Sequence, residues 1–101
     1  MNVVLCNCPP DRALPLARAL VEQGLAACVN VLPAVTSVYQ WKGRVEQESE
    51  HTLLIKVSAA RVEALAERIR ALHPYDVPEI VVLPVDVALS DPRYVAWVRQ
   101  T

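Results

Sequence analysis

Glycine is scarce in this sequence, since Gly24 and Gly43 are the only two among 101 residues. Loops that cradle a phosphate or a dinucleotide need several closely spaced glycines, because only glycine lets the backbone approach the ligand so closely. No such loop can be built here, and no Gly-x-Ser-x-Gly motif is present. The sequence therefore excludes the common nucleotide-binding loops and the nucleophile turn of the α/β-hydrolases.

Excess charge and long apolar runs are also missing. The formal net charge is −1, which argues against a nucleic-acid partner recognised through a broad basic face. No apolar run approaches the roughly 20 residues that a membrane helix needs, so we expect no membrane partner. Residues 1–5 lack a basic segment followed by a long apolar stretch, and we therefore expect no signal peptide.

Cysteine is limited to three residues, and an odd number cannot pair completely within one chain. Their spacing is not that of a disulfide framework, so the sequence predicts a reducing compartment, the cytoplasm. Neither a Cys-x-x-Cys pair nor a His-x-x-x-His pair is present. A closed structural zinc site is therefore not expected.

Apolar residues make up 53% of the chain, enough for one core, and the length predicts a single domain spanning residues 1–101. The dominant stretch, residues 26–43, is rich in β-branched and aromatic residues and returns through residues 45–57 after a Lys42-Gly43 turn. Pro33 inside the outgoing arm predicts an edge, a bend or a bulge. A hairpin this long cannot support itself in water, so we expect another copy of the chain to cover it.

The remaining segments predict a strand, two longer helices, a last strand and a short closing helix. The last strand is apolar throughout and is expected to be central in the sheet, and Asp91 is expected to cap the closing helix. The predicted ranges are residues 2–8, 11–23, 58–73, 79–85 and 91–100. The order predicts an α+β fold, a ferredoxin-like βαββαβ antiparallel sheet with a long hairpin and a short C-terminal helix.

The return arm alternates between two faces. His51 falls on the face predicted to be in the core, whereas Glu50 and Lys56 fall on the other. Glu46 and Glu48 on that second face are typical of a solvated surface. Glu50 and Lys56 lie about 20 Å apart along the strand, so they cannot pair with each other within it. If an oligomer buries this face, each needs a partner from elsewhere, and Glu79 is the nearest candidate in the sequence. We therefore predict that Lys56 contacts Glu79 or Glu50 of another chain.

The sequence resembles the CutA family, the divalent-cation tolerance proteins, over nearly its whole length. The motifs that carry the resemblance are Ala27-Cys28-Val29-Asn30, Ser37-Val38-Tyr39-Gln40-Trp41-Lys42-Gly43, the Glu50 and Lys56 pair, His73-Pro74-Tyr75-Asp76-Val77-Pro78-Glu79, and Tyr94 with Trp97. The resemblance implies a ferredoxin-like fold and a tight homotrimer whose hairpins extend the neighbouring sheets. It also implies a link to copper and other divalent cations, and its trimer is similar in architecture to the PII signalling proteins.

Metal ligands are the first chemistry to consider. Thiolates suit Cu(I) and imidazole suits copper or zinc, so Cys28, Cys6, Cys8 and His73 are the candidate ligands. Cys28 and Cys6 match cysteines of the family pattern, whereas Cys8 has no counterpart. The alternative is that the cysteines are small buried core residues and that His73 simply ends a helix. No obligatory cofactor is expected, only weakly bound copper or another divalent cation.

A cleft between subunits is the second candidate site. It would be formed by Glu50, Lys56, Tyr75, Glu79, Tyr39 and Trp41. The sequence thus predicts a cytoplasmic homotrimer that binds copper or other divalent ions and acts in metal tolerance or response. The alternative is a PII-like regulator that binds a small anionic metabolite in the cleft. An enzyme is not expected, although Glu50, Lys56, His73 and Tyr75 are the groups that acid–base chemistry would use.

Overall fold

A four-stranded antiparallel sheet with the strand order β2-β3-β1-β4 organises the chain. The computed structural model describes residues 1–101. The elements follow one another as β1 (Asn2–Cys8), α1 (Pro10–Glu22), β2 (Cys28–Trp41), β3 (Arg44–Val57), a 3₁₀ turn (Ala59–Arg61), α2 (Val62–Leu72), β4 (Val81–Pro84) and α3 (Pro92–Arg99). The fold is thus α+β with three α-helices. None of these helices combines the length and the apolar content that crossing a bilayer requires.

The core lies between one face of the sheet and the helices α1 and α2. Alternate residues of β1 and β3 point into it, and they meet the apolar stripes of the two helices. The fully buried members include Val4, Leu20, Leu53, Ile55 and Leu65. We call this side of the sheet the helix face, and the opposite side the open face.

Helix α3 lies on the open face. Asp91 caps its N-terminus as expected, because its Oδ1 accepts hydrogen bonds from the backbone N–H groups of Arg93 and Tyr94. The helix contacts β3, and its buried Val95 and Val98 lie outside the main core. It therefore covers one end of a face that the other two helices leave open.

The long hairpin is present as predicted, with 14 residues in each arm. Lys42 and Gly43 both have positive φ, 51° and 78°, which is the two-residue turn that matches strand twist. A β-bulge interrupts the ladder at Pro33 and Ala34, where two residues of β2 oppose His51 of β3. The prediction of an irregularity at Pro33 is confirmed.

The last strand was predicted wrongly. It covers only Val81–Pro84 rather than residues 79–85, and it forms an edge of the sheet rather than its centre. Val81, Val82 and Leu83 remain 42–43% exposed. A continuous apolar run is typical of a strand buried on both faces, but here the apolar residues lie uncovered at the edge of a single chain.

Candidate functional site

Glu50 is the only carboxylate that the chain buries, with 6% of the residue exposed. It lies on the open face of β3. The Tyr75 hydroxyl donates to its Oε2 at 3.0 Å, the one hydrogen bond that this carboxylate receives. Burial and then the hydrogen bond to Glu50 raise the pKa of Tyr75, so the hydroxyl remains a donor at neutral pH.

His73 holds Tyr75 in place. Its Nε2 donates to the backbone oxygen of Asn7 at 2.8 Å, and its Nδ1 accepts from the backbone N–H of Tyr75 at 3.1 Å. The two rings are 4.7 Å apart. These bonds require the neutral tautomer protonated at Nε2 and leave no ring nitrogen free for a metal. The candidate ligand His73 is therefore engaged in positioning the loop.

Asn7 joins three segments at the same place, and the sequence analysis missed it. Thr52 Oγ1 donates to its Oδ1 at 2.6 Å, and its Nδ2 donates to Glu79 Oε1 at 3.4 Å. The signal was present, because Asn7 is a polar residue between Cys6 and Cys8 near the end of an apolar strand. Through Asn7, strand β1 is bonded to β3, to the residue that follows α2 and to the loop before β4.

The hairpin supplies aromatic side chains to the same region. Before the bulge, Cys28, Asn30 and Leu32 point to the open face; after it, the odd-numbered residues do, because Val35 opposes Glu50. Tyr39 and Trp41 consequently lie on the Glu50 side, where they are 41% and 48% exposed. Burial and the neighbouring Glu48, Glu46 and Glu50 raise the pKa of Tyr39.

These groups line a cleft of about 670 Å³. The structure brings together five of the predicted cleft residues and adds Asp76 and Asn7. The full lining is Asn7, Ser37, Val38, Tyr39, Trp41, Glu50, Tyr75, Asp76, Val77 and Glu79. It contains carboxylates but no lysine, arginine or histidine, and we call it the acidic cleft.

Lys56, the sixth residue predicted for the cleft, lies outside it in the same chain. It opposes Val3 on β1 and Cys28 on β2, at the far end of β3 from Glu50. Arg18–Glu22 and Arg93–Asp91 are the only ion pairs within the chain, so Lys56 has no acidic partner there. Its predicted contact with Glu79 or Glu50 of another copy stays a prediction.

The three cysteines lie on opposite faces of the sheet. Cys6 and Cys8 are fully buried on the helix face, whereas Cys28 is half-buried on the open face. Burial, with smaller contributions from neighbouring charges, raises the pKa of Cys6 to about 12 and that of Cys8 to about 11. Both thiols therefore stay protonated near neutral pH. Burial and then the neighbouring Cys28 raise the pKa of Tyr94.

The predicted thiol and imidazole ligand set is not assembled within one chain. The sheet separates Cys28 from Cys6 and Cys8, and no group of three His, Cys, Asp or Glu side chains is arranged to hold a metal ion. The reason is the alternation of strand side chains, which places Cys28 on the face opposite to the other two cysteines. The acidic cleft is the remaining candidate site.

Comparison with known proteins agrees with this architecture. A family model described as CutA1 divalent ion tolerance protein matches residues 2–101. The divalent-cation tolerance protein CutA of Thermus thermophilus is 46% identical over 100 residues, which cover 98% of this chain and 95% of that protein. Protein CutA of mouse is 44% identical over 101 residues, and this chain spans only 56% of its length.

The fold is shared with solved structures. The PII-like protein CutA from Nostoc sp. PCC 7120, described in its apo form, superposes with a TM-score of 0.94 at 47% identity, covering 97% of this chain and 93% of that chain. Sequence and structure thus match the same group of proteins over nearly all of this chain, so the chain belongs to the CutA1 divalent ion tolerance family.

Proposed function

We propose that this protein is a cytoplasmic homotrimer that acts in divalent-cation tolerance or response and binds cations weakly at the acidic cleft. The observation that carries the proposal is the charge of the cleft: Glu50, Asp76 and Glu79 line it, and no basic side chain does. Carboxylate oxygens are the ligands that hard divalent cations prefer. The names of the family and of the Thermus thermophilus relative point to the same class of ligand.

Weak binding follows from the arrangement of these carboxylates. They surround the cleft but are not gathered into a ready metal site within one chain. Asp76 and Glu79 are exposed on the loop before β4, whereas Glu50 is buried and bonded to Tyr75. A cation must therefore draw side chains together, or use groups from another copy, and both requirements reduce affinity.

Copper in its Cu(I) form has a different preference, because it is a soft ion that favours thiolates. Cys28 is the thiol best placed to serve it, since Cys6 and Cys8 are buried and held protonated. Cys28 alone is one ligand, so a Cu(I) site would need further donors from other copies of the chain.

The trimer is supported by apolar surface that one chain leaves uncovered. Strand β4 offers Val81, Val82 and Leu83 at an open edge, and α3 exposes Tyr94 and Trp97. An open edge and an apolar face are both stabilised when another copy covers them. The strand order β2-β3-β1-β4 supports the ferredoxin-like arrangement that the sequence predicts. The unpaired cysteines support a reducing compartment.

A PII-like regulatory role is the second candidate, and Lys56 favours it. This lysine is half-buried on the open face without an acidic partner in its own chain, and the Nostoc neighbour is described as PII-like. An anionic metabolite would need that lysine from a neighbouring copy, because the cleft itself is acidic. An acid–base enzyme is the least supported alternative, since His73 and Tyr75 are both engaged in positioning contacts.

Calorimetric titration with zinc, copper and magnesium salts tests the proposal. We expect weak, saturable binding that Glu79→Gln and Asp76→Asn each reduce, because each removes one negative charge from the cleft. Glu67→Gln is the matched control, since Glu67 is an exposed carboxylate on α2 outside the cleft. Equal loss in all three variants, or no saturable binding at all, would contradict a cation site in the cleft.

A further inference from the structure

The acidic cleft is large for a bare metal ion. Its volume of about 670 Å³ lies in the range of about 300–1,000 Å³ that is usual for small-molecule sites. Half of its ten lining residues are hydrophobic. No three potential metal ligands are gathered in it or elsewhere in the chain. The size and the walls therefore fit an organic molecule better than a lone ion.

The negative charge of the cleft favours a positively charged molecule. Only 6% of Glu50 is exposed, yet no cationic side chain of the chain pairs with it. Its Oε2 accepts from Tyr75, whereas its Oε1 accepts no hydrogen bond within the chain and is the oxygen that remains accessible to solvent, because no fully buried side-chain oxygen lacks a partner. A buried carboxylate is stabilised by a cation and by further donors. A protonated amine supplies both.

The aromatic side chains point to the same class of ligand. Tyr39, Trp41 and Tyr75 line the cleft and are 39–48% exposed, so each presents part of its aromatic surface there. One ammonium group of the chain lies near the Trp41 ring, since Lys42 Nζ is 5.9 Å from its centroid, the outer limit of a cation–π contact. Ammonium groups are attracted to the faces of tryptophan and tyrosine rings, and carboxylates beside the rings strengthen such sites.

We propose that the acidic cleft binds a small organic cation, a protonated or methylated amine that carries an apolar group. The ammonium group lies toward Glu50 and Glu79, and the apolar group contacts Tyr39 and Trp41. Asn7 and Ser37 offer polar side chains for any hydroxyl or carbonyl of the ligand. The inference rests on the proposed function only in placing a cation site in this cleft.

The test compares three probes of similar size that differ in charge: 2-phenylethylamine, 2-phenylethanol and phenylacetate. Calorimetry on the intact protein should show saturable binding of the amine at millimolar concentration, at least about tenfold weaker binding of the alcohol, and no binding of the carboxylate. Added salt should weaken binding of the amine. Equal affinity for amine and alcohol, or preference for phenylacetate, would overturn the proposal.

Variants locate the site. Glu79→Gln should weaken binding of the amine about tenfold. Trp41→Leu should weaken its binding about twofold to thirtyfold, the range of a cation–π contact. Glu67→Gln and Trp97→Leu lie outside the cleft and should leave the affinity unchanged. If Trp41→Leu disturbs assembly, Tyr39→Leu is measured in its place. Amine binding that neither Glu79→Gln nor an aromatic variant reduces would overturn the proposal.

Failure of this inference and failure of the proposed function can be told apart in one set of samples. Binding of the amine without saturable binding of zinc, copper or magnesium supports the organic cation and contradicts the metal. Binding of a metal without binding of the amine supports the metal and contradicts the organic cation. If both bind, each should reduce the apparent affinity of the other, because they compete for the same carboxylates; independent binding would contradict a shared cleft.

Discussion

Tyr75 is the residue that connects the loop after α2 to the long hairpin. Its hydroxyl is the only hydrogen-bond donor to the buried Glu50, and its backbone N–H is bonded to His73. The sequence predicted Glu50, Tyr75 and Glu79 as members of a cleft between subunits, and the structure places all three around one cleft within a single chain. The sequence did not reveal Asn7, because a contact between β1 and the distant loop has no local signature in the sequence.

Removal of the Tyr75 hydroxyl should destabilise the protein. Tyr75→Phe leaves the Glu50 carboxylate buried without a donor, which should lower the free energy of unfolding by about 1–3 kcal/mol. Urea denaturation measures the change. Tyr39→Phe is the control, since the Tyr39 hydroxyl makes no hydrogen bond in the chain and its loss should change stability by less than about 0.5 kcal/mol. Equal effects of the two variants would contradict the role given to Tyr75.

The buried thiols make stability depend on alkaline pH. The pKa values of Cys6 and Cys8 rise from 9.0 to about 12 and about 11 on folding. Above pH 9.0 the unfolded chain therefore loses protons that the folded chain retains, and stability falls as pH rises. The free energy of unfolding, measured by urea denaturation, should be about 1–3 kcal/mol lower at pH 10 than at pH 8.

A variant separates the thiols from other alkaline effects. Cys6→Ala is less stable at every pH because it opens a small cavity, but the dependence of its unfolding free energy on pH should be shallower. The slope, and not the absolute stability, is the quantity to compare. Stability that is unchanged between pH 8 and pH 10 in the parent protein would contradict the raised thiol pKa values.

At the scale of elements, the bulge in β2 explains how Tyr39 and Trp41 come to share a face with Glu50. Strict alternation from Cys28 would place Val38 and Gln40, not Tyr39 and Trp41, beside Glu50. A bulge was one of three features expected at Pro33, beside an edge and a bend, and its width was not predicted, since a proline does not tell how many residues oppose one partner. His51 contributes to the bulge, because its Nδ1 accepts from the N–H of Ala34 at 3.3 Å.

Ala34 is a site where glycine should stabilise the fold. Its φ of 61° lies in the left-handed region, which costs a residue with a Cβ atom about 1–2 kcal/mol. Ala34→Gly should therefore raise the free energy of unfolding by about 0.5–1 kcal/mol after the entropy of glycine is counted. Ala64→Gly on the exposed side of α2 is the control of opposite sign, with a loss of about 1 kcal/mol. The same sign for both variants in urea denaturation would contradict the bulge geometry.

Strand β4 illustrates a further limit of the sequence. Its apolar run indicated a central strand, but the structure places the strand at an edge of the sheet. The residues at both ends of the run belong to loops. The pattern reports how apolar a segment is, not which neighbour covers it. In a single chain that cover is missing, which is why the same residues support the proposed trimer.

At the scale of the whole molecule, the hairpin gives the chain an elongated shape of 44 × 27 × 22 Å. Most of the helix-face core was predictable from periodicity, since the apolar stripes of α1 and α2 match one face of β1 and β3. The position of Lys56 was not, because the sequence placed it in the cleft whereas it lies at the far end of β3 from Glu50. Family membership, in contrast, was apparent from the motifs around Cys28, Trp41 and His73.

The assembly should depend on Trp41. We expect a trimer that does not dissociate at micromolar concentration. Trp41 is 48% exposed in one chain, so a neighbouring copy that covers it would lose this contact in Trp41→Ala. The trimer should therefore be weakened by up to about 3–5 kcal/mol, the cost of truncating a fully buried aromatic side chain. Light scattering coupled to size-exclusion chromatography gives the mass. Leu89→Ala is the control, since Leu89 lies 86% exposed in the loop before α3. A monomer mass for the parent protein would contradict the trimer, and a trimer of unchanged stability in Trp41→Ala would place Trp41 outside the subunit contacts.

The most direct test of the central claim, that the acidic cleft is where a cation binds, uses the two tryptophans of the chain as internal reporters. Trp41 lines the cleft, whereas Trp97 lies on α3 outside it. In ¹H–¹⁵N spectra recorded during titration with zinc chloride, the indole signal of Trp41 and the side-chain amide signals of Asn7 should shift together, while the indole signal of Trp97 stays in place. A shift at Trp97 with no change at Trp41 and Asn7 would place the cation elsewhere and contradict the account.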